Sequence, residues 1–405
     1  MKDSNTLMKV WHYPISGQQV YFVAFLLYFL PTFLGETTFS TIISGHLLMK
    51  VACLSIPLLV FKIYILDKWQ KKKLFVISLF LLAGLIVWRC THNVDLMMLA
   101  PFIIGAKNVS FRDIIRWHFY LTLLFVMLVM VYALIKIIPN LIYYSDSRPT
   151  RYSLGMLYPS VIAAHYLYLV LDYCYLRFGK LNVLDYLVIV VGDYVCMKLT
   201  NTRLDFLAVV VVIPVMILAQ RASDGKRWSN IIVSFWWMAT PVLSSLTIFL
   251  SYFYSSSNNI LYKINSLSSG RLALGHEAFQ KYNVNLFGRT IIEHSFGGVQ
   301  GQKFASGLIG TQSHYFYIDS SYVRMVLLWG LLTFIIVIFC LSFIALRSTI
   351  NKTFILSSII LFSSLSFMFE PHIIQILYNP FMLSLMANGY YSRLNKEQKN
   401  AKQKN

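Results

Sequence analysis

Acidic side chains are scarce in this chain. Sixteen Asp and Glu stand against 35 Lys and Arg in 405 residues, and all charged residues together make up 13%. A soluble domain carries about a quarter charged residues. With 57% hydrophobic residues, the chain cannot hide its apolar side chains in a water-soluble core. Cysteine is sparse too. Cys53, Cys90, Cys174, Cys196 and Cys340 all fall in or at the end of apolar runs, without paired spacing. That supports neither a disulfide framework nor a zinc site, and the five read as small buried hydrophobes. His276-Glu277 lacks the second His of a metalloprotease helix. No repeat occurs at solenoid spacing, and the two halves show none of the similarity many transporters carry. Lys2 and Lys9 precede an apolar run, but that run is too long for a signal peptide and no small-residue cleavage site follows it.

What is present is a series of continuous apolar runs about twenty residues long, the helix length a bilayer needs. Barrel strands would be short and alternating. Backbone amides in lipid must be satisfied within each span. The fold class is therefore all-α, a polytopic helical membrane protein of about twelve spans. They fall near 17–34, 42–66, 74–91, 94–106, 114–138, 153–176, 183–200, 203–220, 229–254, 322–346, 353–369 and 372–389. Nine spans thus occupy 1–254 and three occupy 322–392, with a polar loop over 255–321 and a polar tail over 393–405. Lys and Arg cluster in alternate connections: Asp67–Lys73, Lys107–Arg116, Arg177–Lys180, Arg221–Arg227, Arg347–Lys352 and the tail. The positive-inside rule puts these in the cytoplasm and the long loop outside. It also accounts for the net charge of +19 without nucleic acid. The chain is expected in the cytoplasmic membrane, with Arg203 and Glu370 on the loop's side.

The loop holds Arg271, Arg289, Glu277, Glu293, Asp319 and three of the nine histidines. Ser268 or Ser269 can cap a helix that opens on Arg271, where amides and a guanidinium would meet an anion; the bland alternative is a surface helix with Arg271 in water. Asp319 and His314 are alternative general bases, although an Asp before a span is commonly a cap. Arg203 opens the eighth span with Asp205 two residues on, so the two do not share a face. An arginine at a span end often snorkels. This one sits on the side poor in positive charge, and intramembrane ionisable residues are functional candidates. Glu370 is a candidate acid or a turn residue. Pro380 should kink or break the last span.

Four pieces of the second half together resemble the O-antigen ligase and Wzy polysaccharide polymerase superfamily. They are Arg203-x3-Leu207; Ser-Gly-Arg271-Leu with Asn285-Leu-Phe-Gly288; Ile318-Asp319-Ser-Ser-Tyr322 with Gly330 downstream; and Glu370 with Asn379-Pro-Phe381. The ligases carry His, then Asn, Ser or Gln, then nine residues and Gly. Here Asp319-Ser320 holds that spacing before Gly330, leaving Asp319 or His314 as base. The resemblance implies a GT-C-like, O-antigen-ligase-like fold whose extracytoplasmic catalytic loop is 255–321. It implies a glycosyltransferase that polymerises undecaprenyl-diphosphate-linked repeat units, with lipid-linked donor and acceptor and no cofactor or metal. A flippase and a chain-length regulator are the partners it suggests. Arg203 and Arg271 would stabilise the leaving diphosphate, and Arg289, Glu370 and Tyr322 would contact substrate. Loop aromatics such as Tyr315 and Tyr317 could pack on sugar faces. A ligase with another acceptor, or a flippase for lipid-linked oligosaccharide, are the alternatives.

Overall fold

The computed structural model describes residues 16–145, 148–306 and 315–389. His314 and the tail beyond Gly389 lie outside these residues. The chain is predominantly helical. In order come α1 (Gly17–Gly35), α2 (Gly45–Leu66), α3 (Lys71–Thr91), α4 (Asp95–Gly105) and α5 (Phe111–Leu134). A hairpin of β1 (Ile142–Ser145) and β2 (Arg148–Tyr152) follows, then α6 (Pro159–Arg177), α7 (Val183–Thr200), α8 (Arg203–Ser223) and α9 (Arg227–Tyr252). The long connection folds into three short helices, α10 (Asn259–Leu267), α11 (Arg271–Lys281) and α12 (Gly298–Ala305). α13 (Ser321–Arg324), α14 (Leu331–Ile350) and α15 (Ile355–Ser366) complete the helices.

Seven helices are long and apolar enough to cross a membrane: α1, α2, α3, α5, α8, α9 and α14. Large apolar side chains stand exposed along them, among them Phe75, Leu79 and Leu82 on α3, Leu124, Met127 and Val131 on α5, and Phe339 and Phe343 on α14. A band of this extent marks a lipid-facing surface. α6 differs. It is buried over most of its length and packs against α5, α7 and α8.

Span 42–66 breaks at Leu54 and ends in a π turn over Lys62–Leu66, and span 229–254 carries a 3-10 turn over Trp236–Met238, while both keep their course. Two further expected spans are interrupted more deeply. Span 322–346 is broken at Gly330, whose φ of 91° lies in the left-handed half of the map. The break is filled from outside. Residues 285–289 lay their backbone along it, with Leu331 N–H donating to Asn285 O (2.9 Å), Leu332 N–H to Leu286 O (3.1 Å) and Arg289 N–H to Leu328 O (3.0 Å). Gly288 and Gly330 meet backbone to backbone, and a side chain on Gly288 would strike the Leu328 carbonyl. The Asn-Leu-Phe-Gly and Gly330 pieces of the sequence pattern are thus the two halves of one contact.

Residues 367–389 carry no α-helix, only a 3-10 turn over Pro380–Leu385. Pro371 and Pro380 remove donors, and the Asn379 side chain bonds locally to Ile373 O (2.8 Å) and from Phe381 N–H (3.4 Å). Irregular backbone at membrane depth is tolerated only when enclosed by protein, and here Ile373, Ile374, Leu377, Tyr378 and Phe381 are all buried. The segment starts beside the long connection, where Ser321 N–H donates to Phe367 O (3.0 Å). It ends against the α4–α5 turn, with Asn388 N–H on Val109 O (2.7 Å). It therefore runs the length of the helical body. We call the end near Glu36 the upper end, and the end near Lys62, which is clamped to Asp67 and Lys107 O, the lower end.

Candidate functional site

The upper end holds a cluster of charged side chains brought together from segments far apart in sequence. Asn265, Ser269 and Gly270 set up its central residue. Ser269 (φ 57°) and Gly270 (φ 88°) reverse the chain after α10. The cap of α11 is Gly270 rather than a serine hydroxyl, and Asn265 Oδ1 takes the Ala273 N–H (3.0 Å). The α11 N-terminus is thereby partly satisfied from within, and the guanidinium of Arg271 is what it presents. Nε donates to Phe369 O (2.7 Å), Nη2 to Glu370 Oε1 (3.1 Å) and Nη1 to Ser268 O (3.3 Å). Asp319 Oδ2 lies 3.9 Å from Nε. Asp205 of α8 is within electrostatic reach of both Arg271 and Glu370. Four charged residues from α8, α11, the stretch before α13 and the stretch after α15 therefore converge.

Their environments differ. Burial pushes the Glu370 carboxyl well above the ordinary range, with the negative charges of Asp205 and Asp319 adding and Arg271 opposing. Burial also raises Asp319, held back by Arg271 and Arg324. Asp319 remains 19% exposed, and among the described residues its carboxylate accepts no hydrogen bond. It is a carboxylate flanked by two arginines with its oxygens available.

A second ion pair closes the floor beside it. Arg324 grips both carboxylate oxygens of Glu293, with Nη1–Oε1 at 3.1 Å. It also donates to Ile318 O (3.0 Å) and covers the Tyr317 ring at 4.8 Å. Glu293 Oε1 in turn takes the Ile318 N–H (2.9 Å). This pair fixes the strand-like stretch that carries Asp319.

The other candidates from the sequence are distributed as follows. Arg203 is exposed and makes no hydrogen bond or ion pair among the described residues; Asp205, on the opposite face of α8, is the one that points inward. Tyr322 is fully buried, its hydroxyl donating to Ser364 O (2.9 Å), which makes it a brace between α13 and α15. Arg289 is half-buried at the Gly288–Gly330 contact, its Nε without a partner among the described residues. Glu370 and Arg271 are brought together. His314 is outside the described residues.

Sequence reasoning did not single out Arg151, Arg324 or Glu36. Arg151, on β2, donates through Nε to Thr200 O (2.8 Å) and through Nη1 to the Tyr158 hydroxyl (3.1 Å). It acts electrostatically on Asp205. The positive charges of 139–152 on a side otherwise poor in them were the available signal. Glu36 follows α1, and burial with the nearby Asp95 charge pushes its carboxyl up to about 7. Its signal was an acid next to a long apolar run.

Comparison with protein-family models, curated proteins and solved structures finds no match to this chain. The functional reading rests on residues and geometry.

Proposed function

We propose that the chain is a polysaccharide polymerase, a glycosyltransferase acting at the outer face of the cytoplasmic membrane on undecaprenyl-diphosphate-linked repeat units. On this reading the upper end is extracytoplasmic, since the Lys-rich connections gather at the lower end. The irregular segment 367–389 then makes the last crossing, and α4, α6, α7 and α15 bring the crossings to twelve. The observation that carries the reading is the Arg271–Glu370–Asp319 cluster. It joins a guanidinium suited to a diphosphate to a carboxylate that accepts no hydrogen bond among the described residues and to a second carboxyl that burial pushes upward.

The reaction assigns one role to each. Asp319 takes the hydroxyl proton of the acceptor sugar as its oxygen attacks the anomeric carbon of the donor. The bond from that carbon to the diphosphate oxygen breaks, and its electron pair leaves with the diphosphate. Arg271 stabilises the charge that develops there, and Arg151 adds to the positive potential. Glu370, whose proton affinity burial raises, can return a proton to the leaving group. Paired carboxyl groups whose environments differ are the usual basis of such a division.

Reconstitution with purified lipid-linked repeat unit tests the proposal. Polymer that lengthens on the carrier lipid, and is lost in Arg271→Ala and Asp319→Asn, supports it. Transfer to a different acceptor would make the enzyme a ligase. Translocation of the lipid-linked unit without new glycosidic bonds would replace the enzyme by a flippase.

A further inference from the structure

A narrow cleft of about 370 Å³ adjoins Arg271, which forms part of its lining. Leu250 of α9, Ile264 of α10, Leu272 of α11, and Met368 and Phe369 after α15 make its walls largely hydrocarbon. The local sequence explains why the space exists. α11 is pressed against α9 at Gly275, where a Cβ would come within 2.8 Å of Ser251 Oγ. α10 is turned away from it by the reversal at Ser269 and Gly270, and none of its residues is buried. The cleft lies where α10 stands off.

Two hydroxyls in the lining are left over. Ser251 and Ser320 are 1% and 5% exposed, and neither side chain has a hydrogen-bond partner among the described residues. Ser320 stands at the cap position of α13, yet its hydroxyl makes no cap bond. Buried hydroxyls without partners are costly and call for an explanation. Beside a guanidinium they are two further donors for an anion.

The two helices that frame the cleft face lipid. Leu246 and Phe249 stand exposed on α9, and Ile260 and Leu267 on α10. On α10 the exposed apolar residues alternate with Asn259, Lys263 and Ser266, the composition of a helix lying in the membrane interface. A sugar would find few partners for its hydroxyls along such walls. A hydrocarbon chain that ends in an anion matches both the walls and the guanidinium.

We propose that this cleft seats the first isoprenoid units of the carrier lipid, entering from the bilayer between α9 and α10, so that the diphosphate they carry meets Arg271 and the hydroxyls of Ser251 and Ser320. The identity of the lipid rests on the polymerase reading. Bilayer chains are as apolar as these walls, so the cleft adds little affinity over lipid. What it supplies is position. Fixing the carbons next to the diphosphate fixes the leaving oxygen relative to Arg271 and Asp319.

Binding to the full-length chain in phosphatidylcholine nanodiscs, with no sugar present, tests this. Geranyl diphosphate is the probe, since its short chain keeps it soluble in water, and inorganic diphosphate is the reference. Each methylene moved from water into the cleft contributes about fourfold in affinity, so geranyl diphosphate is expected to bind at least about tenfold tighter than inorganic diphosphate. Leu250→Trp and Ile264→Trp fill the cleft and should erase that ratio. Partition of the chain into the bilayer would survive both substitutions. A ratio that persists in either folded variant, or is absent in the wild type, overturns the proposal; where Leu250→Trp does not fold, Ile264→Trp on the outlying α10 decides. No glycosidic bond forms in this assay, so its failure leaves the polymerase reading standing. A chain that shows the ratio yet makes no polymer loses the polymerase reading alone.

Discussion

Arg271 and Arg324 sit on either side of Asp319, yet they are held in opposite ways. Arg324 is closed: its guanidinium is bound on two sides by Glu293, a third contact goes to Ile318 O, and Tyr317 covers its face. Arg271 is open: one nitrogen meets Glu370, carbonyls take the rest, and Asp319 stands at 3.9 Å, outside hydrogen-bond distance. A guanidinium whose donors are locked by one carboxylate has little left for a ligand. One that shares a carboxylate and leaves another nearby can exchange those partners for the oxygens of a diphosphate. On the proposed function, Arg324 would support the site and Arg271 take part in it.

The two alanine substitutions should therefore separate cleanly. Arg271→Ala is expected to reduce polymer formation by ~10²–10³, the usual loss when a charge-stabilising donor is removed, with a smaller fall in the thermal midpoint than Arg324→Ala. Arg324→Ala leaves Glu293 enclosed without its partner, which costs about 3–5 kcal/mol for a buried pair; it should appear as a lower midpoint and poor recovery from detergent. If Arg324→Ala were well folded but inactive, and Arg271→Ala poorly folded, the assignment of open and closed arginines would be reversed.

Gly288 and Gly330 extend the contrast to the backbone that holds the closed side. Alanine at Gly288 would place a methyl group against the Leu328 carbonyl, and it would need a φ of 80°. The expected result is loss of several kcal/mol and faster proteolysis of the 285–289 segment. The same substitution at Gly179, which also has positive φ but has open space around it, should cost only about 1 kcal/mol.

Glu36, at the same end of the bundle, tests its surroundings through pH. Its folded value of about 7 lies above the ordinary 4.5, so the folded state binds its proton more tightly than the unfolded chain does. Stability from this group is complete below the ordinary value and declines as pH rises from there to about 7. Glu36→Gln stays neutral throughout. It should flatten that decline and raise the thermal midpoint at pH above 7. A lower midpoint instead would mean that Glu36 is held as a paired anion.

Hydropathy made most of the helices legible, because continuous apolar runs of bilayer length have one stable backbone solution. It misread 372–389 for a definite reason. Hydropathy reports that Ile373, Ile376, Leu377 and Phe381 avoid water, but not that protein surrounds them on all sides, and enclosure is what allows Pro371 and Pro380 to keep the segment irregular. In the site, Arg271, Asp319 and Glu370 were legible as charges in an apolar chain on one side of the bundle. Arg324 and Arg151 were not, since which charges meet is decided by crossings far apart in sequence: Arg271 and Glu370 are 99 residues apart.

The smallest effect concerns Arg203, where sequence pattern and geometry diverge most. The Arg-x3-Leu element suggests an arginine on the diphosphate. In the fold its side chain is exposed, whereas Asp205 on the same helix turns toward Arg271, Glu370 and Arg151. Arg203→Ala should keep polymer formation within about twofold of the wild type, as expected for a surface arginine near headgroups. Arg151→Ala, which removes a positive charge close to Asp205, should reduce it about tenfold, roughly 1.4 kcal/mol of transition-state stabilisation. Polymer length on gels from the two variants, at matched protein levels, compares them. A large loss in Arg203→Ala with none in Arg151→Ala would mean that α8 rotates when substrate binds, bringing Arg203 toward Arg271 in place of Asp205.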